Sequence, residues 1–129
     1  MNNKTVIRTG KAPLPIGPYN QAVLAGNFLF VSGQIALTPD TGELVTANIQ
    51  AETERIMENI GAILEAAGLD FKDVVKSSIF LTDIGNFAVV NEVYGKYFTE
   101  QTAPARETVQ VSKLPKNVNV EISVIAVKA

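Results

Sequence analysis

The sequence contains no cysteine and no histidine among its 129 residues. Without cysteine, disulfide bonds, thiolate nucleophiles and cysteine metal ligands are excluded. Without an imidazole, Ser-His-Asp and Cys-His nucleophile systems are excluded as well, together with nearly all zinc chemistry. Walker-type loops, dinucleotide fingerprints and calcium loops are also missing. We therefore expect any catalysis to rely on carboxylates, hydroxyl groups, arginine, lysine or the backbone, with no metal and no cofactor.

Long apolar runs and an excess of basic residues are missing too. No stretch approaches the roughly 20 apolar residues that a membrane helix needs, and residues 1–11 have no apolar core of the signal-peptide type. The formal net charge is −2, which gives little attraction to nucleic-acid phosphates. These absences predict a cytoplasmic protein that binds neither membranes nor nucleic acid.

The size and composition of the chain are those of one folded domain, which we place at residues 1–129. Hydrophobic residues make up 47% of the chain and charged residues 19%, an ordinary globular composition. A domain of this size buries only about two-thirds of the surface that its unfolded chain exposes. Oligomerisation would therefore be a natural additional source of stability.

Two segments show helical periodicity. From about Asn48 to Ala67, apolar residues recur at steps of three and four, and Gly68 follows as a left-handed cap with Leu69 folding back. A second helix is predicted near Asn86 to Phe98, with Gly95 as an unfavourable interior residue. The glutamates of the first helix are interpreted as surface residues: Glu52, Glu54 and Glu58.

The remaining segments predict strands. After a Pro-rich and Gly-rich loop at Lys11–Pro18, Tyr19–Leu24 and Phe28–Ser32 form a hairpin, with Gly26 and Asn27 supplying positive φ angles. Further strands are predicted at Val74–Thr82, Arg106–Ser112 and Asn119–Val127. The element order is β-β-β-α-β-α-β-β, which indicates an α+β fold, a mixed sheet with two helices packed on one face.

Alternation along the last two strands predicts which side chains share a face. In the last strand, an unbroken apolar row from Val118 to Ala126 should face the helices, which leaves Glu121 in the other row. In the strand before it, Val109 and Val111 point one way; Arg106, Thr108 and Gln110 point the other way. We therefore expect Arg106 and Glu121 to share the face away from the helices.

That second face is too apolar to be left in water. Phe28 to Val31 are apolar at consecutive positions, which implies cover on both sides of the strand. Two helices cannot cover both faces, so we expect another copy of the chain to cover the second one in a symmetric homo-oligomer. Polar groups on that face would then line clefts between subunits.

Arg106 and Glu121 are the strongest candidates for chemistry. A planar guanidinium is well suited to hold a carboxylate through two parallel hydrogen bonds, and the alternative is a structural ion pair with Glu121. Glu121 interrupts an apolar strand, where burial would raise its pKa and let it position or deprotonate water. Its alternative role is an interfacial salt bridge.

Four further residues are weaker candidates. Asn91 lies beside the apolar stripe of the second helix and is either structural or part of a pocket. Ser32 and Gly33 end the most apolar strand, where a free backbone N–H could admit a ligand or the chain could form a bulge. Tyr19 is either a core aromatic or a pocket wall with a hydroxyl donor. The residues alone indicate an oligomer with anion-binding clefts, and no reaction.

An ordered set of short motifs runs through nearly the whole chain. These are Ile16-Gly17-Pro18-Tyr19, Ser32-Gly33-Gln34, Glu65-Ala66-Ala67-Gly68-Leu69, Phe80-Leu81-Thr82-Asp83, Pro104-Ala105-Arg106, Leu114-Pro115-Lys116 and Val120-Glu121-Ile122. Each motif is unspecific alone, but the ordered set is highly specific. Through this set, the chain resembles the RidA (reactive intermediate deaminase) family over nearly its whole length.

The resemblance implies a chorismate-mutase-like homotrimer with three clefts between subunits. It implies that Arg106 grips a substrate carboxylate, that Glu121 is associated with the attacking water, and that the pocket also contains Tyr19, Ser32, Gly33 and Asn91. The implied reaction is the hydrolytic deamination of 2-iminobutanoate and 2-iminopropanoate to 2-keto acids and ammonia. These imines are released by pyridoxal-phosphate dehydratases, so the implied role is control of metabolite damage in amino-acid metabolism.

One position departs from the family pattern. Many relatives have cysteine two residues beyond the arginine, where this chain has Thr108. A thiol cannot then be essential here, although the hydroxyl can still form hydrogen bonds in the cleft. Two other functions stay open: a regulator that binds small carboxylates without turnover, and an endoribonuclease or chaperone-like protein of the same family.

Overall fold

The computed structural model describes residues 3–129. Within these residues, the chain folds into a six-stranded mixed sheet with two α-helices. The strands are β1 (Lys4–Ile7), β2 (Ala22–Ala25), β3 (Phe28–Gln34), β4 (Val74–Leu81), β5 (Ala105–Gln110) and β6 (Val120–Val127), and the helices are α1 (Ile49–Ala66) and α2 (Phe87–Gly95). Their order in the sheet is β1-β2-β3-β6-β4-β5, with β4 and β5 parallel and the other neighbours antiparallel. The predicted α+β element order is confirmed.

Helix α1 begins and ends within one residue of its predicted bounds. The Asn48 side chain accepts a hydrogen bond from a backbone N–H of the first turn at 2.7 Å. At the other end Gly68 has a φ of 76° and donates to the Glu65 carbonyl, while the Leu69 N–H donates to the Leu64 carbonyl. These two bonds complete the predicted left-handed cap.

Helix α2 is shorter than the sequence pattern predicts. It ends at Gly95, which is therefore its last residue and not an interior one. The backbone beyond tightens into bonds of the i→i−3 type, such as the bond from the Tyr97 N–H to the Tyr94 carbonyl at 3.1 Å. Tyr97 and Phe98 instead pack on Phe71, with ring centroids 5.0 and 5.6 Å apart.

The N-terminal part of the sheet differs from expectation in three ways. Strand β1 lies in a segment where the sequence pattern predicts no strand. Strand β2 begins at Ala22 and not at Tyr19, so Tyr19 lies in the preceding loop. In the hairpin, Gly26 has a φ of 60°, but Asn27 does not have a positive φ. A two-residue loop with glycine at its first position fits a type II′ turn, which needs only one positive φ.

The two faces of the sheet have different environments. Buried side chains of the sheet and of α1 form the core on the helical face, among them Leu29, Ile60 and Ile122. On the other face Phe28 and Phe30 are 48% and 47% exposed. The apolar second face is thus present in the protomer, and its cover by another copy stays a prediction. Within residues 3–129, no helix is both long and apolar enough to span a membrane.

Glu52 is fully buried, so its interpretation as a surface residue is wrong. Its position, four residues before Ile56 and eight before Ile60, lies on the buried stripe of α1. There it meets the start of β6, where it accepts hydrogen bonds from backbone N–H groups. Glu54 is partly exposed and Glu58 is exposed, as predicted.

Candidate functional site

Arg106 and Glu121 lie on opposite faces of the sheet. In the β4–β5 ladder Arg106 is directly opposite Ser77, which is fully buried beneath the helices. Glu121 is opposite Phe80, in the row that alternates with the buried residues of β6. Because directly paired residues point to the same face, the prediction that Arg106 and Glu121 share a face within one chain is wrong.

The prediction of a shared face fails because β5 lies at an exposed edge of the sheet. This strand is at the sheet edge and pairs only with β4, so neither of its rows is deeply buried. The polar row turns toward α2, whereas Val109 is 41% exposed on the opposite face. Apolar side chains therefore do not identify the inner row of β5 as they do in the central strand β6.

Three side chains of α2 hold the guanidinium of Arg106. Its Nη1 donates to Asn91 Oδ1 at 2.8 Å. The guanidinium carbon lies 5.6 Å from the ring centroid of Phe87 and 5.1 Å from that of Tyr94, within the range of cation–π attraction. Phe87, Asn91 and Tyr94 follow one another at steps of four and three, so one face of α2 supplies all three contacts.

The aromatic ring beneath Arg106 is itself fixed. The Tyr94 hydroxyl donates to Ser77 Oγ at 2.9 Å in a buried contact. Burial raises the pKa of the Tyr94 hydroxyl, so it stays a neutral donor. Among residues 3–129, Arg106 takes part in no ion pair, and the alternative of a structural pair with Glu121 is not found within the chain. The outer edge of the guanidinium therefore retains donors for a carboxylate.

Glu121 lines a cavity of about 300 Å³ on the other face. Apolar side chains dominate its wall; the lining residues are Pro13, Leu14, Pro15, Ile16, Tyr19, Gln21, Gly33, Gln34, Ile35, Leu37, Pro115, Lys116 and Glu121. Burial raises the pKa of the Glu121 carboxyl, and no ion pair with Glu121 exists in the described part of the chain. A carboxylate in this setting is more basic than one in water.

Gly33 provides the space for that carboxylate. A Cβ atom built at Gly33 would lie 2.8 Å from Glu121 Cδ, closer than real side chains approach. The neighbouring Ser32 has no free N–H, since its N–H donates to the Gln21 carbonyl at 2.9 Å and its hydroxyl donates to the Asn20 carbonyl. The β3–β6 register shifts between Val31 and Gln34, so the alternative of a bulge at Ser32-Gly33 is confirmed.

Tyr19 belongs to the wall of the cavity and not to the core, since it is 52% exposed. The loop around it depends on Gln21, a residue that the sequence reasoning missed. The Gln21 side chain is buried, accepts from the Thr9 N–H and donates to the carbonyls of Thr9, Ala12 and Pro13. A long amide side chain next to an apolar strand was the available signal.

Asn91 and Thr108 lie on the Arg106 side. Asn91 is exposed, and its partner is the guanidinium of Arg106. Thr108 is opposite Ile79, a buried residue, and its hydroxyl is buried without a partner among residues 3–129. The predicted site residues thus fall into two groups, one around Arg106 and one around the cavity of Glu121.

Comparisons with known proteins agree over nearly the whole chain. A family model described as Endoribonuclease L-PSP matches residues 9–128. A RutC family protein of Pyrococcus abyssi is 54% identical over 125 residues, which are 97% of this chain and 98% of that protein. The 2-iminobutanoate/2-iminopropanoate deaminase of Bos taurus is 46% identical over 97% of this chain and 90% of its own. The crystal structure of E. coli TdcF with bound serine matches with a TM-score of 0.91 and 46% identity, covering 97% of this chain and 99% of TdcF.

Proposed function

This chain belongs to the RidA (Endoribonuclease L-PSP) family, and we propose that it hydrolyses 2-imino acids to 2-keto acids and ammonia. The substrates we propose are 2-iminobutanoate and 2-iminopropanoate, which the bovine relative's name specifies. The observation that carries the proposal is a pair of charged groups without ion-pair partners in residues 3–129: the guanidinium of Arg106 and the carboxylate of Glu121.

The proposed site requires two copies of the chain. Because Arg106 and Glu121 lie on opposite faces of one sheet, they can act on one small molecule only across an interface. The exposed Phe28 and Phe30 support burial of the outer face in such an interface. We propose a homotrimer in which each cleft combines Arg106 of one copy with Glu121 of the next.

In the proposed reaction, Arg106 binds the substrate carboxylate and thereby places the imine carbon beside Glu121. The Glu121 carboxylate accepts a proton from water as the water oxygen bonds to the carbon of the protonated C=N group. Glu121 then returns this proton to the nitrogen, and the C–N bond breaks with its electron pair leaving on ammonia. The hydroxyl proton passes to the released ammonia, which leaves the 2-keto acid and ammonium. The raised pKa of Glu121 makes it a better base for the first step. Orientation supplies much of the remaining acceleration.

The other predicted site residues divide between the two halves of the cleft. Asn91 and Thr108 belong to the half that binds the carboxylate, and Asn91 acts by orienting the guanidinium. Tyr19, Ser32 and Gly33 belong to the half that holds the water, where Gly33 leaves space for the carboxylate and Tyr19 forms part of the wall.

The test generates an imine in situ with a threonine dehydratase and traps the unhydrolysed imine with semicarbazide. The amount of semicarbazone formed is measured. Wild-type protein should reduce semicarbazone formation, and Arg106→Ala should abolish this effect. Arg8→Ala, which removes an exposed arginine outside both halves of the site, is the matched control and should behave as wild type. Binding of 2-ketobutyrate without turnover would instead support the carboxylate-binding regulator. Salt-sensitive RNA cleavage that survives Arg106→Ala would support the endoribonuclease.

A further inference from the structure

We infer that Glu52 is a positioning residue for Glu121, because its buried carboxylate fixes the backbone from which Glu121 projects. Glu52 lies on α1, outside both halves of the candidate site. The functional consequence rests on the proposed function, whereas the structural consequence can be measured without any turnover.

The contacts of Glu52 concentrate on two residues. Its Oε2 accepts from the backbone N–H groups of Asn119 at 2.8 Å and Val120 at 2.9 Å, and its Oε1 accepts from the Asn119 side-chain amide at 2.8 Å. The side chain is fully buried and, within residues 3–129, forms no ion pair. A buried carboxylate is costly without such partners, and charge-assisted hydrogen bonds offset that cost.

These contacts come directly before Glu121 in the chain. Asn119 and Val120 enter β6, and the Asn119 carbonyl also accepts from the Thr82 N–H at 3.1 Å. On the other side of Asn119, the chain turns through Lys116 and Asn117, which have φ angles of 57° and 56°. Glu52 therefore ties α1 to the junction between the cavity wall at Lys116 and the start of the strand that carries Glu121.

The strand ladder holds this junction from one side only. On the β4 side, the pairing of β6 continues through Glu121 to Val120. On the β3 side, the pairing of β6 ends at Ile122, so β3 does not hold the residues before it. The hydrogen bonds to Glu52 therefore add a second constraint on the backbone next to Glu121.

The first test measures the pKa of Glu121 directly, by carbon-13 NMR titration of side-chain carboxyl groups with Glu121→Gln for assignment. In Glu52→Ala the loosened junction should admit water, so the pKa of Glu121 should fall toward 4.5, its ordinary value. Glu52→Ala keeps the other titratable side chains that line the cavity, Lys116 and Tyr19. Glu65→Ala, at an exposed position of the same helix, is the matched control and should leave the titration unchanged.

The second test is kinetic. Glu52→Ala should lower kcat by about 10-fold to 100-fold, the effect of misplacing a reacting group, and leave KM within about twofold because Arg106 is untouched. Glu52→Gln should keep kcat and KM at their wild-type values. The carbonyl oxygen of the new glutamine can accept from the two backbone N–H groups, and its NH₂ group can donate to the Asn119 side-chain oxygen once the Asn119 amide has rotated. Where Glu52→Ala does not fold, Glu52→Asp replaces it, because the shorter carboxylate keeps the charge but cannot make all three contacts.

The outcomes separate this inference from the proposed function. The positioning role would be overturned if Glu52→Ala or Glu52→Asp lowers the thermal stability but leaves the pKa of Glu121 and kcat at their wild-type values. Absence of imine hydrolysis by the wild type would overturn only the proposed function, since the titration of Glu121 still decides the role of Glu52.

Discussion

Arg106 and Glu121 are held in place by different physical means. The guanidinium is fixed by the hydrogen bond that it donates to Asn91 and by aromatic rings. The carboxylate is fixed by packing against Gly33, and burial alters its proton affinity. Substitutions near Arg106 should therefore change binding, whereas substitutions near Glu121 should change the chemical step and its dependence on pH.

Gly33→Ala tests whether the space beside Glu121 matters. The new Cβ would displace the carboxylate, because it would lie 2.8 Å from Glu121 Cδ in the present arrangement. We expect kcat to fall by about 10-fold or more, while the midpoint of thermal unfolding changes little because the end of a flexible side chain can move. Gly95→Ala, where an added Cβ meets nothing within 4 Å, is the control and should keep the wild-type kcat. An unchanged kcat in Gly33→Ala would contradict the predicted crowding.

The raised pKa of Glu121 also predicts how stability depends on pH. A carboxyl whose pKa is higher in the folded state stabilises that state fully below its unfolded-state pKa, and this contribution is lost as pH rises through the folded value. The free energy of unfolding of the wild type, relative to Glu121→Gln, should therefore decrease above about pH 4 and level off beyond the raised pKa. Urea unfolding at a series of pH values and one protein concentration measures it. A difference independent of pH would refute the shift.

At the scale of elements, helix α2 determines the orientation of Arg106. Asn91→Asp keeps the shape of the side chain but places a negative charge beside the guanidinium, where it competes with a substrate carboxylate. We expect the Kd of 2-ketobutyrate, measured by calorimetry, to rise by about 10-fold or more. Asn27→Asp makes the same change of charge in the turn between β2 and β3 and should bind as wild type. Equal affinity of Asn91→Asp and wild type would show that Arg106 does not bind the carboxylate.

Sequence patterns predict the elements best where local signals agree with packing. Helix α1 has its apolar periodicity and its Gly68 end, and its bounds match the prediction within one residue at each end. Strand β6 alternates strictly, and its buried row is the predicted one. The end of α2 was misplaced because Tyr97 and Phe98 continue the apolar stripe, although they pack on Phe71 after the helix has ended.

Sequence patterns identify candidate residues for a site but not the faces on which these residues lie. Periodicity shows that Arg106 and Val109 point to opposite faces of β5, but in an edge strand it does not show which face lies under a helix. Glu52 was misread because a charged side chain is usually solvated, and its partners at the start of β6 are 67 and 68 residues away in the chain. Both errors concern contacts between elements, which depend on the tertiary fold.

At the scale of the whole molecule, the sheet separates the two groups of candidate residues. One face carries the guanidinium under α2, and the other carries the carboxylate in its cavity, so the proposed site cannot form within a single protomer. The exposed side chains of Phe28 and Phe30 lie on the same face as the carboxylate, opposite the helical core. Association through that face would bury them and bring the cavity of one copy toward the β5 edge of another.

This division predicts that two inactive variants restore activity when they are combined. A Glu121→Gln subunit supplies Arg106, and an Arg106→Ala subunit supplies Glu121, so a cleft between them contains both groups. In trimers co-expressed from equal amounts, about a quarter of the clefts are complete, and imine hydrolysis should return to about that fraction of the wild-type rate. Combining Arg106→Ala with the double variant Arg106→Ala/Glu121→Gln yields no complete cleft and is the control. If mixed trimers, verified by native mass spectrometry, stay inactive, Arg106 and Glu121 do not meet across an interface.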